Sequence, residues 1–262
     1  MSWGGFKKSI NRAGTQFMQK TGQLERSDDA RFKEEEQKYR EFEKHTTDLL
    51  KNSRDYLDAI RLLAASQARV GDTIEGFYSD SSETAMVAST YKRAVQELDA
   101  RTAKELDLPY RATVLDPISK LSSYFPEVNK LIEKRNRKLL DYDAARSRQK
   151  KLTEKPGDDP SKLPRADRDL NDSKLVFEAI DQQLMNELPQ LVDMRVPYLD
   201  PSLEMMIRAQ IKFAQEGYEQ LGSVQRYFPE HVRNDYAEGR LDTQVEGVLQ
   251  EMRALSICGS AP

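Results

Sequence analysis

From about residue 28 to residue 70 the apolar side chains Phe32, Tyr39, Phe42, Leu49, Leu57, Ile60 and Ala64 recur at heptad-like intervals, with Thr46 and Ser53 filling the gaps. A stripe of that period, sustained for so long, marks one helix that buries a single face against other helices. A second stripe opens at Val87, Tyr91, Ala94 and Leu98 and continues through Leu115, Ile118, Leu121, Val128, Leu131, Leu139 and Tyr142 to about Leu152, across Pro109, Pro117 and Pro126. A third starts near Leu170, runs through Phe177, Ile180, Leu184, Leu188 and Leu191, is disturbed at Pro197 and Pro201, and resumes at Ile207, Ile211, Ala214, Tyr218, Leu221 and Phe228. Each proline removes a helical N–H and should bend or interrupt its helix. The chain therefore reads as all-α, built on three long, kinked helices. The second alone would reach on the order of 100 Å at about 1.5 Å per residue, so it needs partners along its length.

The punctuation agrees. Ser27, Asp28 and Asp29 offer caps for the first helix, and Gly71, Asp72 and Gly76 weaken its far end. Tyr78 to Ser82 reads as a turn. The segment from Lys155 to Pro164, crowded with Pro and Gly, reads as the loop at the far tip. After Pro229 the chain is acidic on balance, with one further short helix expected around Val245, Leu249 and Met252.

Composition narrows the function. Of 262 residues 32% are charged and 38% hydrophobic, too polar for a large globular core but ordinary for exposed helices. The net charge of −3 argues against nucleic-acid binding by bulk positive charge, so attraction to phosphate must come from local patches. The single cysteine, Cys258, rules out an intrachain disulfide and fits the cytoplasm. No stretch resembles a transmembrane helix or signal peptide. His45 and His231 lack companions at metal-ligand spacing, so neither a metal nor any other cofactor is expected. No nucleophile and base, phosphate loop or distinctive carboxylate pair points to an enzyme.

Two basic segments stand out. Residues 1–20 contain no acid; Trp3, Phe6, Ile10, Ala13 and Phe17 share one helical face, Lys8 and Arg12 fall opposite, Lys7 lies on the flank and Lys20 lies near the apolar edge. That is the pattern of a helix lying in a lipid interface, the alternative being that the stripe packs on the protein's own core. With Gly4, Gly5 and Gly14 so short a helix is marginal in water and needs a surface on which to fold. The second segment carries Lys130, Lys134, Arg135, Arg137, Lys138, Arg146, Arg148, Lys150, Lys151 and Lys155, continued by Lys162, Arg165 and Arg168 beyond the loop. Each such charge near an anionic bilayer is worth about 1 kcal/mol.

The run Phe125, Pro126, Glu127, Val128, then Lys134 to Arg146 (Lys-Arg-Asn-Arg-Lys-Leu-Leu-Asp-Tyr-Asp-Ala-Ala-Arg), closely resembles the second-helix signature of amphiphysin-type BAR domains. Val176, Phe177, Glu178, followed by Asn186 to Leu191 and Arg195, is similar to that family's third-helix signature, and Trp3 to Lys8 to its opening. Within the family the chain resembles the short form of the fungal amphiphysin homologues named for reduced viability upon starvation. The resemblance implies an N-BAR organisation: residues 1–22 as a membrane-inserting amphipathic segment, 23–228 as the BAR domain and 229–262 as a tail. It also implies a crescent antiparallel dimer whose three-helix units form a six-helix bundle, and a concave face that binds curved anionic membrane in endocytosis and actin-patch organisation.

Under that reading Trp3, Phe6, Lys7, Lys8, Ile10, Arg12 and Phe17 insert. Lys134, Arg135, Arg137, Lys138, Arg146, Arg148, Lys150, Lys151, Lys155, Lys162 and Arg165 supply electrostatic attraction, although Arg135 and Lys138 cannot both face lipid with the rest of their cluster. Asp158 and Asp159 partly offset the tip lysines. Phe32, Tyr39, Phe42, Leu49, Ile207, Ile211 and Tyr218 pack the core or the dimer, two roles that periodicity does not separate. The implied partners are an anionic phospholipid membrane, a second copy or a longer BAR protein carrying a Src-homology-3 domain, and indirectly actin and the endocytic machinery at cortical patches. The rival reading is a coiled-coil scaffold that does not touch lipid.

Overall fold

The computed structural model describes residues 3–21, 27, 29–78, 83–155 and 159–258, with side chains at all of these but positions 3–8, 11, 20, 83, 103 and 256. Regular structure among the described residues is entirely helical. In chain order the helices are α1 (Trp3–Lys20), α2 (Ala30–Phe77), α3 (Glu83–Arg101), α4 (Leu108–Tyr110), α5 (Asp116–Ser122), α6 (Phe125–Glu154), α7 (Lys162–Asp193), α8 (Arg195–Gln225), α9 (Glu230–Ala237) and α10 (Leu241–Ala254).

The prolines explain the segmentation. Pro109, Pro117 and Pro126 lie in the first turns of α4, α5 and α6, where a missing N–H costs little. Ahead of them the helix widens into π-helical turns at Thr102–Asp107 and Arg111–Leu115, or breaks at Ser123 and Tyr124. The third stripe behaves differently from expectation. Its break falls at Met194, upstream of Pro197, and α8 continues through Pro201. It also begins at Lys162, so Lys162, Leu163 and Pro164 are helical and not part of the tip loop; positions 156–158 of that loop, like Ser79 to Ser82 and the capping candidate Asp28, lie outside the described residues. Beyond Pro229 there are two short helices where one was expected, both without buried residues.

The chain divides into two units, Met1–Asn52 with Leu115–Leu203, and Ser53–Val114 with Glu204–Pro262. In the first, Phe32, Tyr39 and Phe42 of α2 are buried with Leu121, Phe125, Ile132, Ile180, Leu184 and Leu188. The Phe42 and Phe125 rings meet edge to face at 5.4 Å, and the Tyr39 hydroxyl donates to Asn129 Oδ1 at 3.1 Å, so its polar end is satisfied. Buried Thr46 donates to the Phe42 carbonyl, which lets a polar residue hold a heptad position. Phe32, Tyr39 and Phe42 are thus core residues, and Leu49 is half-buried.

In the second unit Leu57, Ala64, Val95, Leu98, Tyr110 and Val114 are buried, while Ile207, Ile211 and Tyr218 are exposed. Leu57, Ala64 and Gly71 follow one another at seven-residue spacing, and the taper in size lets α3 approach. A Cβ on Gly71 would sit 2.7 Å from Val95 Cγ2 and 3.0 Å from the Lys92 Cα. Gly71 is therefore a packing position within α2 and not a helix terminus. Gly71→Ala is expected to destabilise by about 1–3 kcal/mol through overpacking. Gly76→Ala, which meets nothing within 4 Å, should stabilise by about 0.5–1 kcal/mol. Denaturant midpoints of the two variants check the contrast.

Candidate functional site

In α6 the side chains at 132, 135, 139 and 143 follow three- and four-residue spacing, and all four are buried. Two are charged. Arg135 is 2% exposed, with its Nε donating to Asp181 Oδ1 at 2.8 Å and an Nη to Asp29 Oδ2 at 3.0 Å. Its guanidinium lies 3.7 Å from the centre of the Phe32 ring and 5.0 Å from that of Phe177. Burial alone would lower the Arg135 pKa; the hydrogen bonds and charges of Asp29 and Asp181 reverse this and raise it above its ordinary value. Arg135 is thus a structural ion and not a membrane contact. A buried ion pair with its hydrogen bonds made is tolerated inside the fold, and none of that charge reaches the surface.

The other is Asp143, whose side chain is 1% exposed. It accepts from Ser27 Oγ at 2.6 Å and from Gln19 Nε2 at 2.7 Å, and Arg146 lies 3.3 Å away. One half-turn back, Asp141 receives both Nε and Nη2 of Arg12 at 2.8 Å, a bidentate pair, with Lys138 at 3.7 Å. The two carboxylates hold α1 along α6. Thr15 is buried at this contact, whereas Ile10 and Phe17 are 56% and 67% exposed.

The contact revises two expectations. Arg12 was grouped with the inserting residues, yet its charge is matched by Asp141. Ser27 and Asp29, expected as helix caps, send their side chains to Asp143 and Arg135. The side chains of Trp3, Phe6, Lys7 and Lys8 lie outside the described residues.

The remaining basic side chains are distributed as follows. Lys134 is exposed; Arg137 is exposed and 3.6 Å from Glu133; Lys138 is half-buried. Arg146 lies over Tyr142, which in turn stacks on Phe177 at 5.8 Å. Lys150, Lys151 and Lys155 are exposed at the end of α6. Where α6 meets α7, Arg148, Lys151, Lys162 and Arg165 line one cleft with Leu152, Ala166 and Asp169. Arg148 stands 3.6 Å from Asp169, so the cleft holds four cations against one anion. The fold thus gathers the late part of the basic block with its continuation past the loop, and leaves Lys134 and Arg137 on a separate stretch of α6.

No helix among the described residues is long and apolar enough to cross a membrane, and no group of three or more His, Cys, Asp or Glu there is arranged to hold a metal ion.

Residues 6–229 match the family model described as the BAR domain. The chain belongs to the BAR domain family. Its BAR relatives include the protein Hob3 of Schizosaccharomyces pombe, 51% identical over 99% of this chain and 98% of that protein. The reduced viability upon starvation protein 161 of Saccharomyces cerevisiae is 43% identical over 98% of each. Among solved structures, the Drosophila amphiphysin BAR domain superposes with a TM-score of 0.57 at 21% identity, covering 77% of this chain and 94% of that one. A BAR protein from Galdieria sulphuraria gives a TM-score of 0.64 at 14% identity, over 77% and 98%. As a BAR protein the chain is structural and not an enzyme.

Proposed function

We propose that this BAR protein binds anionic membranes reversibly and senses or generates curvature, acting in endocytosis and actin-patch organisation at the cell cortex. The observation that carries the reading is the cleft of Arg148, Lys151, Lys162 and Arg165 at the α6–α7 junction of a BAR domain. Four basic side chains bordering one cleft attract lipid phosphate far more strongly than the overall charge of −3 suggests. Exposed Ile10 and Phe17 add apolar groups that fit the interface between headgroups and acyl chains. A relative from Candida albicans, 40% identical over 98% of both chains, carries the name regulator of cytoskeleton and endocytosis, which favours the cellular setting.

The working form is a dimer. Ile207, Ile211 and Tyr218, with Leu62, Val70 and Phe77 of the same unit, expose more large apolar side chains than an isolated chain ordinarily leaves in water. A second BAR chain covers them, either another copy or a longer relative with a Src-homology-3 domain.

The test is co-sedimentation of the purified protein with vesicles containing or lacking phosphatidylserine, with electron microscopy of the pellets. Binding confined to the anionic vesicles, together with tubules, is the expected result. Absence from every pellet would leave a helical scaffold that does not act on lipid.

A further inference from the structure

The Asp-Tyr-Asp run in the α6 signature contributes no positive charge, so electrostatic adhesion does not account for it. Its place in the fold does. Asp141 holds Arg12 by two hydrogen bonds of 2.8 Å. Asp143 holds Gln19 and the connecting residue Ser27. Arg12, Thr15 and Gln19 follow one another at three- and four-residue spacing and form the edge of α1 that meets α6; Ile10, Phe17 and Met18 lie on the exposed side. The helix is thus docked by its polar edge, opposite to the packing expected if its apolar stripe belonged to the protein core. An isolated helix of 18 residues containing Gly4, Gly5 and Gly14 is marginal in water, and these carboxylates supply the surface on which it forms.

We infer that Asp141 and Asp143 are the landing site of the N-terminal helix, and that α1 meets the bilayer from this docked position, with its Ile10 and Phe17 side turned outward. Both are positioning residues: they touch α1, not lipid. The second half of this inference rests on the membrane reading above; the first does not. Its consequence is geometric. Insertion needs no release of α1 from the body, because the groups held by α6 are not the groups that enter lipid, and the wedge is fixed in register with α6.

The experiment uses the full chain. Amide exchange over residues 9–20 is measured without lipid in the wild type, Asp141→Arg, Arg12→Asp and the double charge swap. Each single variant should exchange at least about tenfold faster than the wild type, as expected for losing a charged hydrogen-bonded pair, and the double swap should recover protection. Unprotected amides in the wild type, or protection indifferent to Asp141→Arg, would overturn the landing site.

For the membrane half, Arg12→Lys makes position 12 competent for carbodiimide cross-linking to Asp141, and Trp3, the sole tryptophan, reports insertion through quenching by brominated lipid in phosphatidylserine vesicles. A cross-link between position 12 and Asp141 in chains whose Trp3 is quenched is the predicted result. Quenching accompanied by loss of the cross-link would show that α1 leaves α6 to insert and would overturn docked insertion. Failure of the wild type to bind these vesicles would remove the membrane half and leave the exchange result to decide the landing site alone.

Discussion

Replacing Arg135 by alanine is expected to destabilise the unit containing it by about 3–5 kcal/mol, the cost of removing one partner from a buried ion pair. The loss has two sources. Asp29 and Asp181 are left facing each other without their shared cation, and the Phe32 and Phe177 rings lose the guanidinium between them. Arg135→Lys should recover little, because an ammonium is a point charge without the planar fork whose separate nitrogens reach Asp29 and Asp181, and it has no flat face to lie on the rings. Lys134→Ala, one residue away and exposed, is expected to change stability by no more than about 0.5 kcal/mol. Urea denaturation of the three variants, with unchanged slopes, checks the ordering. Equal effects at 134 and 135 would mean that the block is simply a solvated face.

The cleft behaves in the opposite way. Substituting glutamine at Arg148, Lys151, Lys162 and Arg165 together should leave the folded state within about 1 kcal/mol of the wild type, since these are exposed groups and the Arg148–Asp169 pair is open to solvent. Binding to anionic vesicles should fall sharply. At about 1 kcal/mol per charge, four neutralised side chains correspond to a loss on the order of a thousandfold in partition. The partner Asp169 discounts Arg148 somewhat. The same four substitutions made at Lys134, Arg137, Lys138 and Arg146 are expected to do less, because Lys138 and Arg146 already lie against Asp141 and Asp143.

These two results separate what the sequence makes legible from what it hides. The long helices follow from apolar periodicity, since a buried stripe fixes both the period and the face; Phe32, Tyr39, Phe42, Leu57 and Ala64 are placed by it. Prolines mark the second-stripe segments because the missing N–H costs least near a helix start, as at Pro109, Pro117 and Pro126, whereas Pro189 and Pro201 sit inside α7 and α8 without ending them. The shift of the third break to Met194 is not readable, because Pro197 tolerates any of several starts upstream. Charge groups Arg135 with the membrane cations and leaves open whether it or Lys138 turns away; Arg135 is the buried one, on the stripe of Ile132 and Leu139 at three- and four-residue spacing. That phase was the available signal, and it outweighs residue type when two acids can reach the same point. Asp29, Asp141 and Asp181 carry no such mark, since their partners lie far off in sequence and only tertiary packing brings them together. Asp143 shares the phase of Leu139, and its charge hides that signal in the same way.

The electrostatic claim is tested most directly by the partition of the full chain onto phosphatidylserine vesicles, measured at low and high salt for the wild type and for the quadruple variant at 148, 151, 162 and 165. Raising ionic strength shortens the reach of these charges to a few ångströms, so the wild type should bind far better at low salt and the two proteins should converge as salt rises. A gap that persists unchanged at high salt, or equal binding of the two at low salt, would contradict the assignment of membrane adhesion to this cleft.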